Sequence, residues 1–293
     1  MTKIRKAVLP VAGLGTRVLP ATKAIPKEMM PVVDRPALQY VVDEARDAGI
    51  EHIVFVTGRN KGSIEDYFDR AYELESTLRD KKKLDILDKL TAELPAAGST
   101  SFVRQQSPLG LGHAIWCARD VIGQEPFAIL LPDVLVKTPH KSCLAQMVDA
   151  YEKVGGNIIA VDEVPMDRVS SYGVIAPKSD VSGNLIEMKG MVEKPAMAEA
   201  PSNLKITGRY ILQPEIMTLL SDQAAGAGGE IQLTDAMARL MSEQSFHAFI
   251  YDGQDYDCGS KYGYFEAVMA YALDHPEIAD QARALVKEKG AKL

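Results

Sequence analysis

The chain has 293 residues, of which 46% are hydrophobic and 25% are charged, the balance of an ordinary globular protein that can bury a full core. Its 40 Asp and Glu residues against 33 Lys and Arg give a net charge of −7, which argues against a protein that binds nucleic acid through a basic surface. No apolar run approaches the roughly 18 residues of a membrane span, so we expect neither nucleic acid nor membrane as a partner.

The cysteines and the N-terminal segment indicate the compartment. Three widely spaced cysteines with no Cys-x-x-Cys pair predict free thiols in a reducing environment: Cys117, Cys143 and Cys258. Basic residues precede the apolar run 7–14 as in a signal peptide, but Pro10 and Gly13 interrupt that run and no small-residue cleavage site follows it. We therefore expect a cytoplasmic protein.

Short apolar runs alternate with longer helical patterns along the chain, an order typical of helices packed on a mostly parallel sheet. Strands are predicted at 6–11, 52–57, 100–104, 127–131, 157–161 and 246–251, and strands separated by turns within 172–212. A helix is predicted at 36–48, with Leu38, Val41, Val42 and Ala45 at helical spacing as its apolar side. Further helices are predicted as two within 63–94, from 113 onward, and at about 214–221, 232–243, 261–273 and 277–289. The fold class is therefore α/β and Rossmann-like: a twisted, mostly parallel (mixed) sheet with helices on both faces and a small β insertion.

Helix ends and domain organisation follow from shorter signals. Gly49 is predicted to stop the first helix, and Ser63 is predicted to be the N-cap of the polar helices. No internal repeat, low-complexity tract or long linker divides the chain. We therefore expect residues 1–293 to form a single domain, with an α/β catalytic core over about 1–260 and C-terminal helices over about 261–293.

A glycine-rich turn, Ala12–Arg17, directly follows the first predicted strand. Glycine lets backbone N–H groups approach a phosphate closely, because no Cβ intervenes. Val18 stands where the dinucleotide-binding fingerprint needs its third glycine, and the Gly-Lys-Ser/Thr string of a Walker A loop does not occur here. By itself the pattern supports a phosphate-binding turn and a plain strand-to-helix turn about equally.

The segment after this turn is predicted to be a rigid loop rather than a helix. Prolines at positions 20, 26 and 31 exclude a regular helix, and a loop of roughly fifteen residues inside a compact domain is usually functional. The loop carries Arg17, Lys23 and Lys27 beside the glycine turn. Because guanidinium and ammonium groups both bind phosphate, these cations favour a triphosphate ligand over simple surface basicity.

Two strings in this segment, Gly13–Pro20 and Pro26–Pro31, resemble the signature of the sugar-1-phosphate nucleotidylyltransferases. The resemblance covers nearly the whole chain, recurs in several separate motifs, and is strongest to the bacterial family members that transfer uridylyl groups to glucose 1-phosphate. It implies UTP and glucose 1-phosphate as substrates, Mg²⁺ as cofactor, and UDP-glucose and pyrophosphate as products. The substrate contacts it implies here are Ala12, Gly13, Gly15 and Glu28, and the catalytic side chains are Arg17 and Lys27.

A second motif, Arg104–Ala114, contains two adjacent glutamines and two glycines. A glutamine amide can donate and accept hydrogen bonds at once, as reading the edge of a pyrimidine requires. The resemblance implies that Gln105 meets uracil and that Gly110 lines the base pocket, whereas the sequence leaves open whether Gln105 or Gln106 reads the base. A turn followed by a helix would explain the glycines but not the paired amides.

Two aspartates follow predicted strands, Asp133 after 127–131 and Asp257 after 246–251. Open α/β sheets bind ligands at this edge, although an isolated Asp there is often only a turn former. Mg²⁺ takes one or two protein carboxylates and completes its shell with water and substrate phosphate. The resemblance, and not the spacing, pairs Asp133 with Asp257 as Mg²⁺ ligands and makes Asp133 a catalytic residue.

A fourth motif, Met191–Pro195, ends a predicted strand and carries adjacent Glu193 and Lys194. Carboxylate oxygens suit sugar hydroxyls and an ammonium suits a phosphate, but this string alone is common on protein surfaces. The resemblance implies that Glu193 binds the hexose, and that Lys194 binds its phosphate and acts catalytically. It also implies that the backbones of Gly173 and Gly208 approach the sugar.

These groups predict attack of a sugar-phosphate oxygen on the α-phosphorus of UTP, in line with the departing pyrophosphate. A phosphomonoester has a second pKa of about 6 and is largely dianionic at neutral pH, so the nucleophile needs no general base. Catalysis would then consist of positioning and charge neutralisation. None of the five histidines shows metal-ligand spacing, and each is predicted to be a cap, strand or surface residue.

Two alternatives remain open from the sequence. A thymidylyltransferase would use dTTP with the same sugar phosphate, because thymine and uracil share one hydrogen-bonding edge and differ by a methyl group. A non-catalytic nucleotide-sugar sensor would keep the fold, but it is expected to lose a metal carboxylate or the cations at positions 17 and 27. The resemblance also implies a homotetramer or homodimer, with self-association through the C-terminal helices.

Overall fold

A computed structural model of the protein describes residues 2–179, 181–222, 226 and 229–292. The strands are β1 (Lys6–Pro10), β2 (Pro31–Val32), β3 (Arg35–Pro36), β4 (His52–Thr57), β5 (Thr100–Arg104), β6 (Phe127–Leu130), β7 (Val134–Lys137), β8 (Asn157–Glu163), β9 (Gly173–Pro177), β10 (Leu185–Glu193), β11 (Leu204–Leu212), β12 (Phe246–Ile250) and β13 (Gln254–Asp257). The helices are α1 (Ala37–Asp47), α2 (Gly62–Tyr67), α3 (Tyr72–Asp80), α4 (Leu84–Ala92), α5 (Leu111–Cys117), α6 (Arg119–Ile122), α7 (Cys143–Val154), α8 (Ile216–Ser221), α9 (Leu233–Leu240), α10 (Lys261–Ala272) and α11 (Ala279–Gly290).

Nine of the described strands form one mixed sheet in the order β5-β4-β1-β6-β11-β8-β12-β10-β9. The pairs from β5 to β6 are parallel, as is β8 with β12, whereas β11 and β10 run antiparallel to their neighbours. Two small sheets, β7 with β13 and β2 with β3, are separate from it. The predicted α/β class with a mixed sheet is confirmed, and the strands predicted within 172–212 join the main sheet.

Helices cover both faces of this sheet, because successive side chains of a strand point to opposite sides. In β1, Ala7 and Leu9 pack with α1 and α7 on one face, whereas Val8 packs with α5, α8 and α9 on the other. The apolar residues predicted to line the first helix are all buried: Leu38, Val41, Val42 and Ala45. Their helical spacing therefore identified the core-facing side of α1.

Strand pairing brings the predicted metal ligands to one edge of the sheet. β1 and β6 are parallel, with Val8 opposite Ile129, so the chain leaves both strands at the same edge. The glycine turn follows β1 there, and Asp133 follows β6. β13 then pairs antiparallel with β7 and sets Asp257 opposite Val134, the residue next to Asp133. The sequence did not predict β7 or β13, and their pairing is what joins the two aspartates.

The prediction of two polar helices within 63–94, capped by Ser63, is wrong. The structure forms three helices there, and α2 begins at Gly62 with Lys61 at its N-cap, so that Ser63 lies in the first turn. The second break falls between α3 and α4, where Lys82 adopts a φ of 54°. A left-handed residue cannot continue a right-handed helix, and this turn therefore divides the segment.

The helix predicted from His113 begins two residues earlier, at Leu111. Gly110 precedes it with a φ of 103° and marks the point where helical geometry starts. The N–H of Gly112, one of the donors that every helix start leaves unpaired, donates to Ile231 O at 2.8 Å. Ile231, which is distant in sequence, thus stabilises the start of α5 at Leu111.

Within the described ranges, no helix combines the length with the apolar composition that crossing a bilayer requires. All three cysteines are free, with Cys143 and Cys258 buried and Cys117 partly so, which confirms the prediction of free thiols. Burial raises the pKa of Cys258 to about 12. This thiol, next to Asp257, is therefore protonated at neutral pH and is not a nucleophile.

Candidate active site

The loop after β1 is ordered by short 3₁₀ turns at Thr16–Val18, Ala21–Lys23 and Lys27–Met29, as the prolines predicted when they excluded a regular helix. Gly15 begins the first turn with a φ of 66°, and a Cβ there would lie 3.0 Å from the Thr22 side chain. Glycine is therefore required for both the backbone and the space. Thr22 Oγ1 donates a hydrogen bond to Gly15 O at 2.7 Å, which ties the loop to the glycine turn.

Two cations of this loop converge on two aspartates. Lys27 Nζ lies 2.6 Å from Asp133 Oδ2, and the two side chains are only 16% and 17% exposed. The Arg17 guanidinium lies 3.6 Å from Asp133 Oδ2 and 3.5 Å from Asp257 Oδ2. We name this cluster the charged junction: Arg17, Lys27, Asp133 and Asp257. The third cation of the loop, Lys23, is exposed to solvent.

Both partners of the buried ion pair keep their charges. Burial opposes the charge of Lys27, but attraction to Asp133 outweighs burial and holds the pKa of Lys27 above its ordinary value. Burial likewise opposes the charge of Asp133, yet Lys27 and then Arg17 hold the pKa of Asp133 below its ordinary value. Asp133 is therefore an ionised carboxylate, the form that binds a metal cation.

The carboxylates of Asp133 and Asp257 converge beside Gly259, and their chemistry fits a divalent cation. A Cβ on Gly259 would lie 2.9 Å from Asp133 Oδ2 and 2.9 Å from Asp257 Oδ1, and it would clash with Arg17 Nη2 at 2.5 Å. One oxygen of each carboxylate thus lies near a point that the Arg17 guanidinium reaches in this structure, and such hard oxygens are the donors that Mg²⁺ prefers. In the described chain no group of three or more His, Cys, Asp and Glu side chains is placed to hold a metal. Water and substrate phosphate would have to complete the coordination shell.

A cavity of about 360 Å³, here the first cavity, opens between the glycine turn and the start of α5. Five of the predicted substrate-binding residues line it: Ala12, Gly13, Gly15, Gln105 and Gly110. Of the two adjacent glutamines, Gln105 lines the first cavity, whereas Gln106 is exposed to solvent. The geometry therefore favours Gln105 as the residue that meets a base.

One wall of the first cavity comes from a distant part of the chain. A Cβ on Gly110 would lie 2.7 Å from Glu230 Cβ and 2.8 Å from Ile231 O, so glycine is needed for this approach. Ile231 donates its N–H to Leu109 O at 2.7 Å, and Glu230 also lines the cavity. The contact between residues 109–112 and 230–231 completes a pocket that no local sequence pattern indicates.

A larger cavity of about 630 Å³, here the second cavity, adjoins the first at Leu111, which lines both. The predicted site residues that line the second cavity are Arg17, Asp133, Gly173, Glu193, Lys194, Gly208 and Asp257. Arg17 follows directly on Gly15 and Thr16, which line the first cavity. The charged junction therefore stands between the two cavities.

Glu193 ends β10 and Lys194 directly follows it, and both residues line the second cavity. Glu193 Oε2 accepts a hydrogen bond from Thr234 Oγ1 at 2.9 Å, and a Cβ on Gly173 would crowd the same oxygen at 3.1 Å. Lys194 has a φ of 48°, which is uncommon for a residue other than glycine, and its N–H donates to Tyr172 O at 3.0 Å. Backbone strain of this kind is typical of functional sites, where the surrounding structure holds it in place.

Gly208 contributes backbone rather than a side chain to the second cavity. Its φ is 78°, and a Cβ there would lie 2.9 Å from the Leu131 side chain. Gly208 O accepts the N–H of Leu131 at 2.9 Å. β11 therefore packs directly against the residue that precedes Pro132 and Asp133.

A buried arginine fixes the loop that carries Asp133. Arg209 is fully buried, and it donates to Leu131 O at 3.1 Å and to Val134 O at 2.7 Å, on either side of Asp133. Its charge is balanced by Glu44, with Nη2 and Oε2 2.8 Å apart. Burial opposes the charge of Arg209, but attraction to Glu44 outweighs it and raises the pKa of the guanidinium.

Glu28, which was predicted to contact substrate, is buried beneath the loop instead. It is 1% exposed, and its Oε2 lies 2.7 Å from Nζ of Lys61, a second buried side chain. Burial is the strongest influence on this carboxyl group and raises the pKa of Glu28. Glu28 lines neither cavity, so its position gives no support to the predicted substrate contact. Glu28 anchors the turn that carries Lys27.

Sequence reasoning missed the side chains that hold the predicted ones in place: Lys61, Thr234, Arg209, Glu44 and His113. Arg209 alone left a signal, since an arginine inside the apolar strand 204–212 needs a buried partner. His113 was expected to be a cap, strand or surface residue, but its Nδ1 lies 3.1 Å from Gln105 Nε2. Apart from that signal at Arg209, no local pattern distinguishes these residues from ordinary polar positions.

Comparison with known proteins agrees with this geometry. Residues 6–273 match the family model for nucleotidyl transferases. A UTP–glucose-1-phosphate uridylyltransferase of Komagataeibacter xylinus is 52% identical over 258 residues, which cover 88% of this chain and 90% of the relative. The enzyme of that name from Bacillus subtilis (strain 168) is 48% identical over 281 residues, which cover 96% of this chain and 95% of the relative.

Solved structures give the same result. The UTP-bound UGPase from Acinetobacter baumannii matches with a TM-score of 0.91 at 50% identity, over 97% of this chain and 99% of that one. A UDP-glucose pyrophosphorylase complexed with UDP-glucose matches with a TM-score of 0.83 at 44% identity, over 93% of this chain and 100% of that one. The chain therefore belongs to the nucleotidyl transferase family, beside relatives named UTP–glucose-1-phosphate uridylyltransferase.

Proposed function

We propose that the protein transfers a uridylyl group from UTP to glucose 1-phosphate, which forms UDP-glucose and releases pyrophosphate. The observation that carries the proposal is the charged junction between two cavities of different chemistry. The first cavity offers glycine backbone and an amide to a nucleotide, and the second offers a carboxylate and an ammonium to a sugar phosphate. The relatives with UTP and with UDP-glucose bound support the same ligands.

In the first cavity we assign the phosphates of UTP to the glycine turn and the base to the loop before α5. Ala12, Gly13 and Gly15 bring backbone close to the ligand, as a phosphate requires. Gln105 would read the uracil edge. Gly110 would line the base, and its N–H has no hydrogen-bond acceptor within the described ranges, which leaves this donor for a ligand.

In the second cavity we assign the hexose to Glu193 and its phosphate to Lys194. Thr234 holds the Glu193 carboxylate through Oε2, so the other oxygen is oriented for sugar hydroxyls. Gly173 and Gly208 would allow the sugar to lie against backbone, since side chains at either position would crowd their neighbours within 3.1 Å. Lys194 is 63% exposed, as contact with a ligand requires.

The reaction needs no general base, because the sugar phosphate with its second pKa of about 6 is already a dianion at neutral pH. The obstacle is repulsion between two anions that must meet in line. Lys194 would draw the nucleophilic phosphate toward the α-phosphorus, and Arg17 and Lys27 would hold the phosphates of UTP and the departing pyrophosphate. Catalysis then rests on positioning and charge neutralisation.

We further propose Mg²⁺ as the divalent ion, with Asp133 and Asp257 as its protein ligands. The approach of one oxygen of each carboxylate to the same point beside Gly259 supports this assignment. When bound, the ion would neutralise charge on the phosphates of UTP. Arg17 is 62% exposed and no closer than 3.5 Å to either aspartate, so it is held loosely enough to move from them to a phosphate.

Replacing Asp257 with asparagine should raise the Mg²⁺ concentration needed for half-maximal activity at least about tenfold, because an amide is an uncharged and weaker ligand. The measurement is pyrophosphate release across a Mg²⁺ titration at fixed substrates. The control is Asp252→Asn, an exposed position just before β13 that lines neither cavity. Unchanged Mg²⁺ dependence in Asp257→Asn would remove this residue from the metal site.

Pyrophosphate release with glucose 1-phosphate and Mg²⁺ tests the function as a whole, with UTP, dTTP, CTP, ATP and GTP compared separately. We expect fast release with UTP. A preference for dTTP would keep the mechanism and make the protein a thymidylyltransferase. If folded protein released no pyrophosphate with any nucleotide, the result would contradict catalysis and favour a nucleotide-sugar sensor. Such a sensor is expected to lose part of the charged junction, but the chain keeps both aspartates and both cations.

We also propose that residues 1–293 act as one nucleotidyltransferase domain, with the core over about 1–260. The C-terminal helices, about 261–293, would mediate a homotetramer or homodimer. α10 and α11 enclose an apolar groove of about 300 Å³, and Phe265 and Leu285 on these helices are 59% and 54% exposed, as is common at interfaces. The free thiols support a cytoplasmic location.

A further inference from the structure

Two neighbours fix the orientation of the Gln105 amide. Gln105 Nε2 lies 3.1 Å from Gly110 O and 3.1 Å from His113 Nδ1. A backbone carbonyl only accepts hydrogen bonds, so the amide group that faces Gly110 O must be the NH₂. One N–H of Gln105 therefore donates to Gly110, and the other is left to donate to His113.

His113 can accept this hydrogen bond only as a neutral imidazole that carries its proton on Nε2. Burial and then Arg119 lower the pKa of His113, which favours the neutral ring. The ring also stacks on Trp116 with centroids 5.8 Å apart, and the Arg119 guanidinium lies 3.7 Å from the Trp116 ring. Cys117 Sγ, one helical turn away, lies 4.0 Å from Nδ1. Packing within α5 and α6 thus holds the imidazole against the amide.

With both N–H groups engaged, Gln105 presents an acceptor to the first cavity. Gln105 lines that cavity, and its Oε1 receives no hydrogen bond from the described part of the chain. A half-turn of the amide would set Oε1 against Gly110 O and against the lone pair of His113 Nδ1. Each of these contacts would place two hydrogen-bond acceptors against each other, so each of them disfavours the turned amide.

We propose that His113 is a positioning residue that selects the base, because it locks the Gln105 amide with its oxygen available to the nucleotide. This inference rests on the proposed uridylyl transfer and adds the reason why the protein would prefer UTP to CTP. Uracil carries a proton on N3 and can donate it to Oε1. Cytosine has a lone pair on N3, which would face the amide oxygen and be repelled. Without His113 the amide could turn and donate to cytosine instead.

The test compares His113→Leu, which removes the acceptor, with His113→Asn, whose Oδ1 is bonded to Cγ as Nδ1 is in histidine. The Kd values of UTP and CTP are measured by calorimetry without glucose 1-phosphate, and kcat/KM is measured for both nucleotides with it. We expect His113→Leu to reduce the preference for UTP over CTP about tenfold in both measurements, as the loss of one buried hydrogen bond implies. His113→Asn should restore most of it.

Two controls separate positioning from a general disturbance of α5. Ile115→Val alters buried packing on the same helix without touching the His113 acceptor, so its nucleotide preference should equal that of the wild type. The KM for glucose 1-phosphate should stay unchanged in every variant, since His113 lines neither cavity. His113→Phe, which keeps an aromatic ring against Trp116 and has no acceptor, replaces His113→Leu if circular dichroism shows that the leucine variant does not fold.

An unchanged nucleotide preference in the folded variant without the acceptor would overturn the positioning role. A His113→Asn variant that loses as much preference as His113→Leu would overturn it as well. The Kd values of UTP and CTP, measured without glucose 1-phosphate, separate the test of base selection from the test of uridylyl transfer. Wild-type protein that prefers UTP in binding but releases no pyrophosphate contradicts uridylyl transfer alone, whereas equal binding of UTP and CTP by the wild type contradicts base selection.

Discussion

Replacing Lys194 with alanine should lower kcat/KM for UDP-glucose formation by about two to three orders of magnitude while the fold survives. Removing a group that neutralises charge developing in a transition state typically has an effect of about this size. The Lys194 ammonium stands 3.6 Å from Glu193 Oε1 in the second cavity, where the sugar phosphate would bind. Its side chain is 63% exposed, so truncation removes little packing.

The measurement is steady-state kinetics with glucose 1-phosphate varied at saturating UTP, together with thermal unfolding of the variant. Lys189→Ala is the matched control, because Lys189 is an exposed lysine of β10, the strand that precedes Lys194, but lines neither cavity, and this variant should turn over normally. Lys194→Arg should recover only part of the activity, since it keeps the charge and changes the geometry. Near-normal turnover of Lys194→Ala would exclude a catalytic role for this lysine.

Replacing Arg209 with methionine should lower the free energy of unfolding by about 3–5 kcal/mol, the usual consequence of removing one partner from a buried ion pair. Glu44, which is 7% exposed, would be left without its guanidinium partner. The carbonyls of Leu131 and Val134 would also lose the hydrogen bonds that the guanidinium donates to them. Because these residues flank Asp133, we expect the same variant to need a higher Mg²⁺ concentration for half-maximal activity.

Urea unfolding at neutral pH measures this loss, with Arg79→Met as the control at an exposed arginine of α3. The control should change stability by no more than about 0.5 kcal/mol, as is usual for surface substitutions. The double variant Arg209→Met with Glu44→Gln should recover part of the loss, because it leaves no unpaired charge in the core. A decrease below about 1 kcal/mol in Arg209→Met would show that the pair does not hold this loop.

Local patterns were sufficient for most of the fold. The apolar run at 6–11 predicted β1, and the spacing of residues 38, 41, 42 and 45 predicted the buried side of α1, since alternation and helical periodicity are properties of a few neighbouring residues. The prolines at 20, 26 and 31 predicted the non-helical loop because they act on their own backbone. The turn at Lys82, which separates α3 from α4, has no such local signal, and the sequence did not predict it.

The environment of each site residue depended on contacts across the chain. Glu28 sits in a motif that looks accessible, but Lys61 draws it into the interior. Gln105 and Gln106 are equivalent in the sequence, and only the fold turns Gln105 to the first cavity. Arg209 holds the loop of Asp133 through carbonyl oxygens that no motif records. Such partners are invisible to a pattern because burial and distance are not local properties.

By itself the sequence determined the strands of the main sheet and most of the helices, the cations and glycines of the loop after β1, and a family resemblance that named both aspartates. Only the tertiary structure decided that Asp133 and Asp257 share one edge, through the pairing of β13 with β7. It also decided that His113 faces Gln105 rather than solvent. The physical reason is that propensity and periodicity act over a few residues, whereas a binding site is made by strand pairing and packing between residues far apart in the chain.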